Sequence, residues 1–492
     1  MRPWNHGRRW PLLLVLIILL GACTDPQVTA EEERFQACQE ELDALAAAID
    51  DLAASYGRLT TEDYLSGVAP SSAQPAEQAI DRTIATIRAL GCAPEQVAAQ
   101  LEVAPTGRAA TDPIAARVAR QLRSSVTGTP LEDASLVTVT TEDDLARVVA
   151  AAPEGSVLEL AAGEHHTTDV VRVQRSLTIR GTGRDQTTVR SQAEGVALVA
   201  GPGVELELTD LTIEHTGSST VGVLQLDTER FLLRQVRVTG GTRGDDDIGG
   251  AGILVGNRGV GPPTVGGRGL VGVSAVLLDV EVVDNQGPGV LLSGTAAPRI
   301  VRATVADNGV CGVCYLDAAA GTVTDSDVRG SDVGVLVSGT AAPVVTDTLV
   351  ADNRVDGILI EERARGRYAD NRVHGNGERG ILVTDDAAPV VIDNDVRAPG
   401  ELGIAVTARA RPTLTGNRVE GHTYGIWAEG DVEVELVGNQ VTATEEIAIV
   451  LRDAARAVGS GNSCLDNPFD LALFDTSQAE LTDSGCDVVD ER

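Results

Sequence analysis

The sequence predicts an all-β solenoid of short parallel strands, from a constant repeat length, stacked columns of one residue type and an aromatic content of only 2%. Between residues 289 and 469 one phrase returns: a glycine, a β-branched residue or leucine, any residue, and another apolar residue. It begins at Gly289, Gly312, Gly334, Gly357, Gly380, Gly403 and Gly425, and without its glycine at Ala448. Successive starts lie 22 or 23 residues apart, a period that is typical of solenoids.

Two positions counted from each glycine keep one residue type through the repeats. Position +1 is always valine or isoleucine, and position +16 is valine until Cys464 takes its place. Alternating β-branched residues, with glycine or proline at +9, favour three short strands per repeat over helices. At +14 asparagine recurs, and stacked asparagines can hydrogen-bond to one another from coil to coil. The asparagines are Asn371, Asn394, Asn417, Asn439 and Asn462.

With these motifs the chain resembles the right-handed parallel β-helix proteins, whose best-known members are pectate-lyase-like and polygalacturonase-like enzymes. The resemblance covers roughly residues 135 to 486 and implies a right-handed single-stranded parallel β-helix. Because one fold hosts many functions, it implies no particular activity.

The first 22 residues are typical of an export signal. Arg8 and Arg9 precede a short apolar run that is too short to span a membrane. Residues 20–23, Leu-Gly-Ala-Cys, resemble a bacterial lipobox, which implies that Cys23 is lipidated. We therefore expect an exported protein, anchored by lipid to the outer membrane of a Gram-negative bacterium, with a fully secreted protein as the alternative.

Residues 23–125 are predicted to form a small α-helical domain, followed by a linker over 126–136. Apolar residues recur every three or four positions from Phe35 to Tyr56, and a second helix ends before Gly91. In an antiparallel pair of these helices Cys38 would face Cys92, so a Cys38–Cys92 disulfide is predicted for this exported chain.

The β-helix itself is predicted over 137–463, with a capping helix ahead of its first coils, and residues 464–492 are predicted to close the far end. There Phe469, Leu471, Leu473 and Phe474 would cover the last coil, and a Cys464–Cys486 disulfide would hold them. The remaining pair, Cys311 and Cys314, indicates a local disulfide or two buried thiols sooner than a metal or redox site.

The formal net charge of −33 argues against nucleic acid or bare anionic lipid as a partner. No resident cofactor is expected. Ca²⁺ is the one ion that the sequence suggests, at Asp245, Asp246 and Asp247 in a glycine-rich stretch that must form extruded loops.

Position +2 forms an apolar stripe on an outward face, and apolar patches of that extent are rarely free. We expect the N-terminal helices, a loop or a partner to cover it. The stripe comprises Leu291, Cys314, Leu336, Leu359, Leu382, Ala405, Trp427 and Val450.

Outward positions +15 and +17 instead form a charged grid. Coils stack about 4.8 Å apart, so Asp395 should lie between Arg372 and Arg418, and Arg397 between His374 and Glu420. One interpretation is an interleaved face of salt bridges. The other is a groove for an acidic polysaccharide, in which arginines bind uronate carboxylates and His374 or Arg397 removes a proton.

A second charged cluster is predicted at the turn after the first strand. Glu362 and Asp386 could supply the carboxylate pair of a glycoside hydrolase, although charges that bridge neighbouring coils are the simpler interpretation. The other members are Glu361, Arg363, Asp385 and Arg409.

Motifs of the enzymes with this fold are missing. The polygalacturonase-like set has only Asp385-Asp386 as an echo, and the Asp-Pro-His of alginate epimerase-like enzymes is absent. Copper-processing periplasmic β-helix proteins share the repeat, yet the histidines here form no ligand column.

Two functional hypotheses remain. The first is a non-catalytic envelope lipoprotein whose solenoid binds a glycan or another envelope protein. The second is a lyase or glycoside hydrolase that acts on acidic polysaccharide. An enzyme needs a concave groove over one of the two clusters, whereas a scaffold would present a flat face with its charges paired.

Overall fold

The computed structural model describes residues 136–491 except 219, 229, 245–248 and 257–273, together with residues 37–45, 47, 48, 79, 82, 83, 86, 87, 90 and 92 near the N-terminus. The N-terminal group belongs to one compact unit, and the residues from Leu136 onward belong to a second. Among the described residues, no helix is both long enough and apolar enough to cross a membrane.

The N-terminal unit contains the predicted disulfide. Residues 37–45 are helical, and Cys38, Leu42, Leu45 and Ile87 are buried. The sulfur of Cys38 is bonded to that of Cys92, so this pairing is confirmed. The predicted signal segment, Cys23 and residues 126–135 of the predicted linker lie outside the described residues.

The second unit is a parallel solenoid with three strand columns, numbered here along the chain. The first column contains the Gly-x-x-x phrase. Its strands are β4 (Val171–Val173), β7 (Gly195–Ala200), β9 (Thr220–Leu226), β11 (Ala251–Val255), β14 (Val290–Leu292), β17 (Cys311–Tyr315), β20 (Val333–Val337), β23 (Asp356–Ile360), β26 (Arg379–Val383), β29 (Leu402–Ala408), β32 (Tyr424–Gly430), β35 (Ile447–Asp453), β38 (Phe469–Leu473) and β40 (Val488–Asp490).

The second column follows the turn after the phrase. Its strands are β1 (Leu136–Val139), β2 (Ser156–Leu160), β5 (Leu177–Arg180), β8 (Glu205–His215), β10 (Arg230–Thr239), β12 (Ser274–Leu278), β15 (Arg299–Val301), β18 (Thr322–Thr324), β21 (Val344–Thr346), β24 (Arg367–Ala369), β27 (Val390–Ile392), β30 (Thr413–Thr415), β33 (Glu433–Val437), β36 (Arg456–Ser460) and β39 (Gln478–Thr482).

The third column follows the asparagine turn. Long strands β8 and β10 run through both the second and third columns. The other strands are β3 (Gly163–Thr167), β6 (Thr187–Ser191), β13 (Glu281–Val283), β16 (Thr304–Ala306), β19 (Asp327–Arg329), β22 (Leu349–Ala351), β25 (Arg372–His374), β28 (Asp395–Arg397), β31 (Arg418–Glu420), β34 (Gln440–Thr442) and β37 (Ser463–Leu465).

The phrase-opening glycines are required where neighbouring coils approach closely. A Cβ on Gly380 would lie 2.4 Å from the Cγ1 of Val396 and 2.7 Å from the carbonyl oxygen of Gly403. The side chain that follows, Ile381, points into the core and is fully buried. Each such burial contributes about 1.5–3 kcal/mol, and the valine, isoleucine and leucine columns form one continuous core.

The predicted asparagine ladder is confirmed, and a second one accompanies it. Asn371 donates through Nδ2 to the Oδ1 of Asn394 at 2.9 Å, and the pattern continues to Asn462. Five positions later along the coil, Asn353 donates to Asn376 in the same way at 2.9 Å. Sequence reasoning missed this second ladder because other residues interrupt it, although its +19 spacing could have revealed it. Its interruptions are Ser331, Pro399, His422 and Thr444.

The two ends of the solenoid differ from each other. At the start, the helix Leu145–Ala151 is capped by Asp144, whose side chain accepts from the backbone N–H of Arg147 at 3.2 Å, and it buries Leu145 and Val149 against the first coils. At the far end the expected lid is instead a further coil. In β38, Leu471 and Leu473 point into the core of the solenoid, whereas Phe469 is 54% exposed. This segment is a strand in parallel register with β35, and the Cys464–Cys486 disulfide joins β37 to the tail.

Candidate functional site

The charged grid lies on the third column, in the register that the repeat predicts. Arg372 is in strand register with Asp395, and Asp395 is in register with Arg418. His374, Arg397 and Glu420 form the parallel line two residues further on. Their strands keep a buried valine between two outward side chains, so all six residues share one face.

Ion pairs in this grid form mainly within strands. Arg397 contacts Asp395 with Nη2–Oδ2 at 2.8 Å, and Arg418 contacts Glu420 with Nη2–Oε2 at 3.0 Å. Across coils, Arg397 Nε lies 3.9 Å from Glu420 Oε2. The hydrogen bonds that Arg397 donates to the Asp395 carboxylate raise the pKa of Arg397. These arginines are therefore already satisfied by carboxylates of their own chain.

Arg372 and His374 differ from the rest of the grid. Their strand neighbours in the preceding coil are the uncharged Leu349 and Ala351. Arg372 is exposed and His374 is half-buried. Within the part of the chain that the structure describes, neither side chain forms an ion pair or a side-chain hydrogen bond. They are the grid positions with free hydrogen-bonding capacity.

The second cluster lies at the turn after the first column and is built largely as a coil-to-coil cap. Glu362 and Asp385 adopt left-handed backbone conformations, with φ of 57° and 59°. The Glu362 carboxylate accepts from the N–H of Gly339 at 2.8 Å, and Asp385 accepts from the N–H of Glu362 at 3.0 Å. Carboxylates placed there satisfy the backbone of the preceding coil.

Asp386 is held by an arginine of the next coil. Arg409 donates from Nε and Nη2 to its two carboxylate oxygens, both at 2.8 Å. These hydrogen bonds lower the pKa of Asp386. The neighbouring Glu361 has the opposite shift: burial raises its pKa, against a hydrogen bond from Ser338, and Asp385 and Glu362 raise it further. The sequence places Glu361 in the cluster but does not mark it as a candidate catalytic carboxylate, because burial at a turn is not visible in the sequence.

Among the described residues, a cavity lies at the N-terminal end of the solenoid, away from both charged clusters. Its volume is about 330 Å³. Its lining includes Asp143, Asp144, His166, Asp169 and Arg190, and none of the sequence-predicted site residues. The capping helix and the first coils bring this polar lining together.

The histidines serve the core or stand apart from one another. His165 and His215 are buried, and each ring forms a hydrogen bond with a backbone carbonyl oxygen, of Ala161 at 2.8 Å and of Ala193 at 3.0 Å. His422 occupies the second asparagine ladder and contacts the carbonyl oxygen of Gly400 at 3.2 Å. No three histidine, cysteine, aspartate or glutamate side chains converge as metal ligands in the described ranges. Asp245, Asp246 and Asp247 lie outside them.

The apolar +2 stripe is less accessible than an outward face would suggest. Cys314 is 3% exposed, Leu382 8% and Val450 fully buried, and Leu291, Leu336 and Leu359 are half-buried beside the cluster of Cys311, Cys314 and Val333. The Cys311 and Cys314 sulfurs are bonded to each other. That the N-terminal helices cover this stripe stays a prediction.

Comparison with known proteins gives one family match. The model of the family described as periplasmic copper-binding protein (NosD) matches residues 274–450 and 390–482, which together make up less than half of the chain. No curated protein matches the sequence.

Several solved structures are similar in fold at low identity. A periplasmic alginate epimerase AlgG double mutant has 14% identity and a TM-score of 0.46 over 72% of this chain and 84% of its own. The Dettilon tailspike protein has 14% identity and a TM-score of 0.45 over 70% and 68%. An α-1,3-glucanase from Streptomyces thermodiastaticus has 14% identity and a TM-score of 0.41 over 71% and 68%. At these values the likeness carries no statement about activity.

Copper(I) ligation by sulfur does not fit the residues present, and in the described ranges no three histidine, cysteine or carboxylate side chains converge to hold copper through imidazole. Copper(I) prefers thiolate and thioether ligands, but the only methionine is Met1, and six of the seven cysteines are paired in disulfides. What the repeat, the three parallel strand columns and the family match do show is that this chain is a right-handed parallel β-helix repeat protein.

Proposed function

We propose that this protein is an exported, lipid-anchored β-helix that binds a glycan or another envelope component without catalysing a reaction on it. The observation that carries this proposal is the internal pairing of the charged grid. A lyase would need several cations around the uronate and a base in a concave groove, but among the described residues of the grid only Arg372 is free beside His374, and the described cavity lies away from this face. Arg397 and Arg418 instead bind carboxylates of their own strands.

Binding is assigned to Arg372, with His374 beside it. In a chain of net charge −33, an exposed arginine without an internal carboxylate is suited to an anionic group from outside. Guanidinium binds carboxylate or sulfate in a two-pronged geometry. Acidic polysaccharide is therefore the first ligand class to test on this face, and nucleic acid is disfavoured by the overall charge.

Export and anchoring are supported by the sequence at the N-terminus. Arg8, Arg9 and the apolar run precede Cys23, and the matching family is described as periplasmic. Lipidation at Cys23 and placement at the outer membrane are part of the proposal. Labelling cells with an alkynyl fatty acid tests it: the label should enter the wild-type protein and be absent from a Cys23→Ser variant.

The binding experiment is calorimetric titration of the full chain in detergent with oligogalacturonate. Wild type should bind, Arg372→Gln should weaken binding about tenfold, and the matched control Arg418→Gln, whose cation is paired, should change it less. Equal losses in both arginine variants, or no binding by wild type to any acidic oligosaccharide, would remove this face as the binding site.

The enzymatic alternative is tested in the same samples. A lyase produces an unsaturated uronate, so absorbance in the ultraviolet would rise with time and stop rising in His374→Ala. A glycoside hydrolase is favoured by one observation, the opposite pKa shifts of Glu361 and Asp386. New reducing ends that appear with wild type and not with Glu361→Gln would replace the binding proposal with that activity.

A further inference from the structure

Aromatic side chains on the described part of the solenoid are sharply divided between core and surface. Phe231, Tyr315 and Tyr368 are fully buried. The other four lie near the end of the first column, on β32 and on or just after β38, where Tyr424, Trp427 and Phe474 are half-buried and Phe469 is 54% exposed. In a chain with 2% aromatic residues, such a concentration at one surface is not explained by core packing. We call these four residues, with Arg452, the aromatic patch.

Side-chain contacts hold two rings of the patch, those of Tyr424 and Trp427, in place. The ring centroids of Tyr424 and Trp427 are 5.0 Å apart with an edge-to-face angle of 64°. Trp427 donates from Nε1 to Glu429 Oε2 at 3.0 Å, and the Tyr424 hydroxyl donates to Glu446. Tyr424 is in register with Ile447, and Ile447 with Phe469. The Tyr424 and Trp427 rings are therefore held in restrained rotamers, which lowers the entropy cost of binding.

Arg452 is held between two of the rings. Its guanidinium carbon lies 5.6 Å from the Trp427 ring centroid and 5.8 Å from that of Phe474. A guanidinium carries five N–H donors, and stacking leaves its edge available to a ligand. The patch therefore presents ring faces, an immobilised donor group and the carboxylate acceptors Glu429 and Glu446 within a small area.

That combination matches a sugar ring. The C–H face of a hexose is apolar and slightly positive, so it packs on the negative face of an aromatic ring, while its hydroxyls need both donors and acceptors at the rim. The rim here is acidic, because Glu401, Glu429, Glu445 and Glu446 accompany Arg452. A polyanionic chain would be repelled there, whereas an uncharged one would not.

Other occupants fit less well. A second copy of this chain docked on the same patch would bring two acidic rims together, since a two-fold interface pairs identical surfaces. An anionic lipid surface meets the same repulsion. A cationic ligand would have to displace Arg452 from Trp427. An uncharged glycan has none of these penalties.

We propose that the aromatic patch, whose Trp427 also belongs to the +2 stripe, is a binding site for a neutral oligosaccharide and is not covered by the N-terminal helices. This goes beyond the binding face around Arg372, which lies on the third column and would take an acidic group. The two assignments can fail independently, because they use different residues and because one ligand is acidic and the other uncharged.

Trp427 offers a direct readout, since it is the only tryptophan outside the first 22 residues. The full chain in detergent is titrated with cellohexaose, laminarihexaose, maltohexaose and, as the acidic counterpart, hexagalacturonate. Tryptophan fluorescence and calorimetry are followed for wild type and Trp427→Phe, and the difference between the two isolates the signal of Trp427. Phe469→Ala tests the exposed ring, and Val221→Ala, also 54% exposed, is the matched control without an aromatic ring.

We expect at least one neutral hexaose to bind and to change the Trp427 fluorescence. Phe469→Ala should weaken that binding about tenfold, while Val221→Ala and Arg372→Gln should leave it unchanged. The proposal is overturned if no neutral hexaose binds with a Kd below about 10 mM, if hexagalacturonate alone perturbs Trp427, or if Phe469→Ala binds like wild type with an unchanged unfolding midpoint.

Discussion

Asn394 donates a side-chain N–H to the Oδ1 of Asn417 at 2.9 Å, and both amides are buried in the turn between the second and third columns. The same Asn394 oxygen accepts from the backbone and side-chain N–H groups of Asn371 at 3.1 and 2.9 Å. Each amide is therefore both a donor and an acceptor within the stack. Buried polar networks of this kind stabilise only when every member is satisfied.

Asn394→Ala should destabilise the solenoid strongly. The substitution removes partners from Asn371, from Asn417 and from the carbonyl oxygen of Tyr368, which now accepts at 2.9 Å. Buried groups left unsatisfied cost about 1–3 kcal/mol each, so we expect a loss of about 3 kcal/mol in the free energy of unfolding. Chemical denaturation monitored by circular dichroism measures it.

Asn394→Ser is the control for that variant. Ser326 occupies the same column three coils earlier and accepts the N–H of Ala303 through its hydroxyl at 3.1 Å. A serine at 394 can retain that one hydrogen bond, so its cost should be clearly smaller than that of alanine. If the two variants are equally unstable, the acceptor role that we assign to the ladder is wrong.

Tyr315 and Tyr368 make a matched pair of buried phenols. The Tyr315 hydroxyl has no hydrogen-bond partner among the described residues, and burial raises its pKa. Tyr368 donates to the carbonyl oxygen of Arg365 at 3.1 Å. Tyr315→Phe should be neutral or stabilising, whereas Tyr368→Phe should cost about 0.5–1.5 kcal/mol. Unfolding midpoints measured side by side decide, and the reverse order would contradict this account.

Asp347 lies in a ladder of like charges. Burial raises its pKa, and repulsion by Asp370 and Asp325 raises it further. Since the folded-state pKa exceeds that of the unfolded chain, ionisation favours unfolding, and stability is lost as the pH rises through the folded pKa. Asp347→Asn should therefore stabilise the protein at pH 7 by up to about 1 kcal/mol, with a smaller gain in high salt.

Asp352→Asn provides the matched control for Asp347. Both residues have left-handed backbones, with φ of 55° and 51°, which asparagine tolerates. Ala351 is in register with His374 of the next coil. Asp352, the residue after Ala351, therefore lies opposite Gly375 and not opposite another aspartate. Its substitution should leave the unfolding midpoint nearly unchanged. A stabilisation equal to that of Asp347→Asn would show that charge repulsion along the ladder is not the cause.

His422 should make stability depend on pH. Burial lowers its pKa, so the unfolded chain takes up a proton at a higher pH than the folded one. Stability is then constant above about pH 6.5 and decreases as the pH falls below that value. His422→Asn, which restores the residue type of the second ladder, should reduce this decrease. Unfolding curves between pH 5 and 8 measure the difference, and parallel curves for both proteins would contradict the assignment.

Copper should not bind this chain stoichiometrically, despite the description of the matching family. The thiolate and thioether ligands that copper(I) prefers are used in disulfides or missing. Purified protein incubated with copper under reducing and oxidising conditions should show no shift in its unfolding midpoint and less than one copper per chain after desalting. One equivalent retained, together with a raised midpoint, would show a site outside the described residues.

Long-range repetition made much of the architecture predictable. The distance from Gly357 to Gly380 and then to Gly403 is 23 residues each time, so a side chain that points inward in one coil predicts the same for the next. Single positions that broke the pattern were harder to interpret from the sequence. His422 in the second ladder hid that ladder, and Phe469 suggested a lid because an exposed aromatic in a strand is not distinguishable in sequence from a residue that folds over an end.

Spacing along the chain was enough to predict the repeat, the inward columns, the asparagine ladder and the Cys38–Cys92 pairing. The folded structure was needed to show that Arg397 binds Asp395 in its own strand, that Arg372 has no carboxylate partner among the described residues, and that Trp427, Arg452 and Phe474 stack across three coils. The repeat period sets where a Cβ lies, whereas the partner of a long or charged side chain depends on rotamers and on every neighbour within its reach.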